Sequence, residues 1–89
     1  MFEDSFATST DSPMAPAEEC FAITPADDAD LPRATKAIYI GLAGDVALIP
    51  VRGDSPVIFR NLAAGSILDV RVRAVLATGT TAGGVVGLA

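Results

Sequence analysis

An all-β fold, a small antiparallel β-sandwich or barrel of about six short strands, is what three features of this sequence predict. Short apolar runs rich in Val, Ile and Leu recur through the chain after residue 32. Glycine and other turn formers punctuate the gaps between those runs, and no helix-period stripe is long enough to compete with them. The 89 residues suffice for one domain, and the part suited to packing is roughly 50–60 residues, a size at which a single core buries a modest share of its surface.

The elements follow in order. Cys20-Phe-Ala-Ile-Thr is a short apolar run ended by Pro25 and predicts a first edge strand; residues 27–32 read as loop. Residues 36–41 centre on Ile38-Tyr39-Ile40, and the turn-forming Leu42-Ala43-Gly44-Asp45 leads into an apolar run over residues 46–51, which together predict a hairpin. A second turn signal, Val51-Arg52-Gly53-Asp54-Ser55-Pro56, precedes a strand at Val57-Ile58-Phe59, and residues 61–65 make a third connection, so that a meander is expected. Residues 67–73 alternate, with Leu68, Val70 and Val72 on one side and Asp69, Arg71 and Arg73 on the other, the period-2 pattern of one half-buried strand. Ala74-Val75-Leu76 breaks the alternation, which predicts cover on both faces or a bulge before Thr78-Gly79-Thr80-Thr81 turns the chain into a last strand over residues 85–88.

Charge divides the chain in two. Residues 1–30 carry Glu3, Asp4, Asp11, Glu18, Glu19, Asp27, Asp28 and Asp30 with no basic residue. From residue 31 onward Arg33, Lys36, Arg52, Arg60, Arg71 and Arg73 face Asp45, Asp54 and Asp69. Residues 1–19 are rich in Ser, Thr, Pro and Ala and show no apolar period, so they are expected to be a disordered or extended acidic arm, and residues 20–89 a single all-β domain. Such an arm is either a solvated tail or a segment that docks on a basic surface. The outward face of the alternating strand, Arg71 and Arg73, together with Arg60, is the candidate subunit or arm contact; Glu18, Glu19, Phe2 and Phe6 are the candidate arm anchors.

Several functions are disfavoured. With no His and one Cys, a tetrahedral zinc site is not expected, and Ser55, Ser66 and Cys20 have no imidazole to activate them; Cys20 reads as a small buried hydrophobe. No enzymatic activity and no cofactor are expected. Asp27, Asp28 and Asp30 lack the spacing, glycine and terminal Glu of a calcium loop, and residues 78–84 lack the lysine of a phosphate loop. Arg52-Gly53-Asp54 matches the motif integrins read, and tight-turn chemistry accounts for it equally. The body is too weakly basic for nucleic acid, with Tyr39 as its one polar aromatic. No membrane association is expected: residues 74–89 are uncharged but short for a span and carry four glycines, and the start of the chain has no apolar signal region. A domain this small with neither disulfide nor metal points to support from partner subunits, and pairing of exposed strand edges would supply it.

The sequence also resembles a family. Phe21-Ala-Ile-Thr-Pro25, Asp30-Leu-Pro32, Ala37-Ile-Tyr-Ile-Gly41, Ala43-Gly-Asp-Val46, Gly65-Ser-Ile-Leu68, Val70-Arg-Val-Arg73 and Ala77-Thr-Gly-Thr-Thr-Ala82 come in the order found in the head-spike base proteins of gene transfer agents and related tailed phages. The resemblance implies a virion structural protein made in the host cytoplasm and placed on the capsid surface at a vertex. It further implies a homo-oligomer, with a pentamer favoured and a trimer the alternative, bound to the major capsid protein and supporting an outward fibre or spike-tip protein. A capsid decoration protein or a tail-tip subunit would use the same small body; a receptor- or carbohydrate-binding module fits less well, because Trp is absent. Residues 1–19 lie outside the resemblance, and Val85-Val-Gly-Leu-Ala89 is less aromatic than the family implies.

Overall fold

A computed structural model describes residues 16–89 of the chain. Among these, seven short strands form two antiparallel sheets: β1 (Cys20–Ala22), β2 (Ala37–Tyr39), β3 (Gly44–Pro50), β4 (Val57–Leu62), β5 (Ile67–Leu68), β6 (Val72–Leu76) and β7 (Val86–Leu88). The first sheet runs in the order β1-β7-β2-β5 and the second in the order β4-β3-β6. The all-β class is as the sequence predicts. The core lies between the sheets, where Ile38 and Ile40 meet Val46, Leu48, Val72 and Val75, all essentially inaccessible to water.

The strand order departs from the expected meander. Residues 36–51 do not make a hairpin: β2 pairs with β5 and β7, while β3 pairs with β4 and β6. Between them the chain leaves one sheet for the other, and the crossing is tied to the far end of the sequence. Gly41 and Leu42 both donate their amides to the Gly83 carbonyl, and Gly83 returns one to Leu42. The backbones of Gly41 and Gly84 touch there, so closely that a Cβ on Gly41 would sit 2.7 Å from the Gly84 carbonyl oxygen. Among the described residues β3 and β4 form a hairpin, closed by the Gly53 amide on the Pro50 carbonyl at 3.0 Å.

Residues 67–73 are likewise not one strand. They divide into β5 in the first sheet and the start of β6 in the second, with Asp69, Val70 and Arg71 carrying the chain across. The alternation survives because both sheets face the same core. Leu68 points inward from one wall, Val72 from the other, and Val70 packs against the core between them. Ala74 and Val75 are both buried, in keeping with the two-faced cover predicted for that end of the strand.

The free edge of β6 is covered by the loop after β1. Ala26, Leu31 and Thr35 donate their amides to the carbonyls of Val75, Arg73 and Val72 at 2.8–3.0 Å. Thr35 is the one fully buried polar residue among the described residues, and its hydroxyl accepts the Val72 amide. Cys20, expected to be buried, is exposed: its register partner in β7 is Leu88, and that rung of the sheet faces away from the core.

Candidate functional site: an assembly surface

Asp27 fixes the turn after β6. Its carboxylate accepts the Thr78 amide at 2.9 Å and the Thr78 hydroxyl at 2.7 Å, and these bonds hold its pKa below the ordinary value of 3.8. Beyond the end of β6 the edge of β3 would be left open, and two threonines close it. The Thr80 hydroxyl accepts the Ala47 amide and the Thr81 hydroxyl accepts the Asp45 amide, both at 2.9 Å. The Thr-Gly-Thr-Thr segment is thus a side-chain continuation of the sheet, with Gly79 at φ 96° where a left-handed turn is needed. Among the described residues no group of three Cys, Asp or Glu lies close enough to hold a metal ion.

The predicted contact arginines occupy three different environments. Arg73 is half-buried, pairs with Asp30 at 3.0 Å and donates to the Gly53 carbonyl, so it fastens the covering loop and the hairpin tip to β6. Arg60 pairs with Asp45 at 3.4 Å beside an irregularity in the β3–β4 register. There the Asp45 carboxylate also accepts the amide of Asn61, whose φ is 59°. Arg71 is exposed and makes no ion pair among the described residues. It lies between two grooves, one of mixed charge shared with Glu18, Glu19, Arg33 and Lys36, the other with Pro50, Val51 and Arg52.

The arm anchors divide similarly. Glu18 and Glu19 both donate their amides to the Ala89 carbonyl, Ala89 returns one to Glu19, and the Glu19 carboxylate pairs with Arg33. Lys36 donates to the Pro16 carbonyl at 3.4 Å. The segment leading out of the described region therefore leaves the body beside the Arg33–Lys36–Arg71 groove. Phe2 and Phe6 lie outside the described residues.

What the sequence reading passed over is the set of large apolar side chains left exposed. Tyr39, Leu42 and Ile67 belong to or flank the first sheet; Val51, Val57 and Ile58 belong to or flank the second. The signal was present in the continuous apolar runs Ala37-Ile38-Tyr39-Ile40 and Val57-Ile58-Phe59, since a strand apolar on both sides is one expected to be covered on both sides.

A small sandwich stabilised by loop-to-edge hydrogen bonds, with apolar side chains outside and charged grooves beside them, has the make-up of a structural subunit. No protein-family model matches the chain, and no curated protein matches it. Among solved structures it is similar to a chain in the capsid of a native gene transfer agent particle, computed with C5 symmetry. The two are 39% identical with a TM-score of 0.80, over 98% of this chain and 100% of that one. The protein belongs to the family of that capsid component, a family of virion structural proteins. Coverage of 98% takes the similarity into residues 1–19, which the motif comparison had left outside.

Proposed function

We propose that this protein is the base of a head spike. It forms a pentamer on the capsid at a five-fold vertex, bound to the major capsid protein below and carrying a fibre or spike-tip protein outward. The observation that carries the reading is the full-length similarity to a chain found in a gene transfer agent capsid; the vertex position and the pentamer are what the resemblance to the spike bases implies. Two further observations support it. The family phrases of the spike bases run in order from Phe21 to Ala82, and every one falls on a strand or on a connection that the fold uses. The role is one of assembly, without catalysis.

Cryo-electron microscopy of particles made with and without this chain tests the proposal. Density at the vertices is expected in the first and lost in the second, with five copies of the chain per occupied vertex. Copies distributed over the capsomers, or confined to the tail, would replace this reading with a decoration protein or a tail-tip subunit.

A further inference from the structure

The chain has six cationic side chains, and the fold engages four of them. Arg33 pairs with Glu19, Arg60 with Asp45 and Arg73 with Asp30, while Lys36 donates to the Pro16 carbonyl. Arg52 and Arg71 are exposed and make no ion pair among the described residues. Both line one groove, whose remaining walls are Pro50, Val51 and Val70. Asp54 and Asp69 each stand two residues along the chain from one of these arginines, and neither lines the groove. The two halves of the groove are fixed against each other, because the Val51 amide donates to the Arg71 carbonyl at 2.9 Å. An apolar wall flanked by two guanidinium groups is a surface for a segment that carries carboxylates and apolar side chains together.

The chain itself contains such a segment. Residues 1–15, outside the described region, carry Glu3, Asp4 and Asp11 and no basic residue. Phe2-Glu3-Asp4-Ser5-Phe6 sets two carboxylates between two phenylalanines, which complements two arginines beside Pro and Val side chains. The chain also enters the described region at the right place. Pro16 is held by Lys36, which lines the neighbouring groove with Arg71, and Arg71 lines both grooves. Ten residues separate Phe6 from Pro16, and ten residues span up to about 35 Å, enough to pass from one groove to the next. A tethered segment is presented to such a surface at roughly millimolar effective concentration, so a contact too weak to capture a free peptide suffices.

We propose that residues 2–6 of this chain dock in the groove of Pro50, Val51, Arg52, Val70 and Arg71 of the same copy, with Glu3 and Asp4 against the two guanidinium groups and the phenylalanines on the apolar wall. The docked segment lies over the end of β3 and over the corner where residues 69–71 carry the chain from one sheet to the other, and so fastens the two together. The contact needs neither a second copy nor a capsid, and it goes beyond the spike-base reading without resting on it.

The test uses the full chain with Cys20→Ser and Ala7→Cys, so that a nitroxide on the new thiol sits beside the acidic segment, and reads amide signals by nuclear magnetic resonance. At low salt the amides of Val51, Arg52, Val70 and Arg71 are expected to lose intensity most, relative to the same sample with the nitroxide reduced. That loss should fade as salt is raised. It should disappear in Arg52→Glu with Arg71→Glu and return when Glu3→Arg and Asp4→Arg are added to those two. The salt titration needs no change in the groove, so a charge-reversed variant that misfolds by circular dichroism leaves the test intact. Intensity loss spread evenly over the surface, or absent from the groove, would overturn the docking site. Loss at the groove that persists at high salt and in the charge-reversed variant would overturn the pairing of Glu3 and Asp4 with the arginines. Refolding the nitroxide-bearing chain with an excess of isotope-labelled chain that lacks the nitroxide reports contacts between copies. Groove signals lost in that mixture would move the segment to a neighbouring copy and overturn docking within one chain.

Discussion

Thr35 and Val72 exchange two hydrogen bonds at the centre of the molecule: the Thr35 amide donates to the Val72 carbonyl at 3.0 Å, and the Thr35 hydroxyl accepts the Val72 amide at 3.1 Å. Both residues are fully buried, so neither amide has water to turn to. Replacing Thr35 with Val keeps the shape and strands the Val72 amide, which costs about 1–3 kcal/mol. Thr35→Ser keeps the acceptor and loses one methyl, roughly 0.8 kcal/mol. Urea unfolding should rank the two in that order. A loss in Thr35→Ser with none in Thr35→Val would assign the role of Thr35 to its methyl group.

The bonds from Thr78 to Asp27 make stability depend on acid. Because the folded pKa lies below 3.8, the contribution is fully present above that value and is lost as pH falls through the lower, folded-state pKa. Asp27→Asn should lower the melting temperature at neutral pH and flatten the acid side of the stability profile below pH about 4. Thr78→Val should do the same in smaller measure, since the backbone amide bond remains. A melting curve whose acid dependence is unchanged in Asp27→Asn would show that the turn is held by other bonds.

Glycine is required at residues 41 and 65 for different reasons. At Gly41 a side chain meets the Gly84 backbone, which cannot rotate away, and Gly41→Ala should cost about 1–3 kcal/mol. At Gly65 there is open space, but φ is 85°, so Gly65→Ala costs about 1–2 kcal/mol through the backbone alone. Gly65→Asn should recover much of that loss, because Asn tolerates the left-handed region; Gly41→Asn should be worse than Gly41→Ala. Chemical denaturation of the four variants separates the two causes.

The inward residues were legible from the sequence because period-2 alternation reports a side chain's face whichever strand pairs with it; Leu68, Val70 and Val72 all point to the core. What alternation does not report is the sheet a strand belongs to. Residues 67–73 read as one strand because a corner between two walls of one core preserves the pattern. Pairing was illegible for a related reason: Cys20 meets Leu88, and Ala37 meets Leu88 from the other side, through hydrogen bonds that leave no local trace. The exposure of Cys20 follows from that pairing. Arg73 was read as an outward charge, and its capture by Asp30, 43 residues away, depends on a loop whose path the sequence does not specify.

Arg71, like Arg52 near it, is exposed and makes no ion pair among the described residues. It stands between the groove of Arg33 and Lys36 and the groove of Arg52, beside the point where Pro16 leads toward the acidic residues Glu3, Asp4 and Asp11. If Arg71 and Arg52 receive acidic groups during assembly, Arg71→Glu should weaken attachment to the particle at low salt, and the difference from wild type should shrink as ionic strength shortens the screening length below about 10 Å. Removing residues 1–15, while leaving Glu18 and Glu19 hooked to Ala89, should give the same salt-dependent loss if the acidic groups are those of the arm itself. Combining the two changes then adds nothing to either. A loss on Arg71→Glu with none on removal of residues 1–15 would place the acidic partner on another protein of the particle, and full attachment in both variants would show that the grooves take no part in assembly.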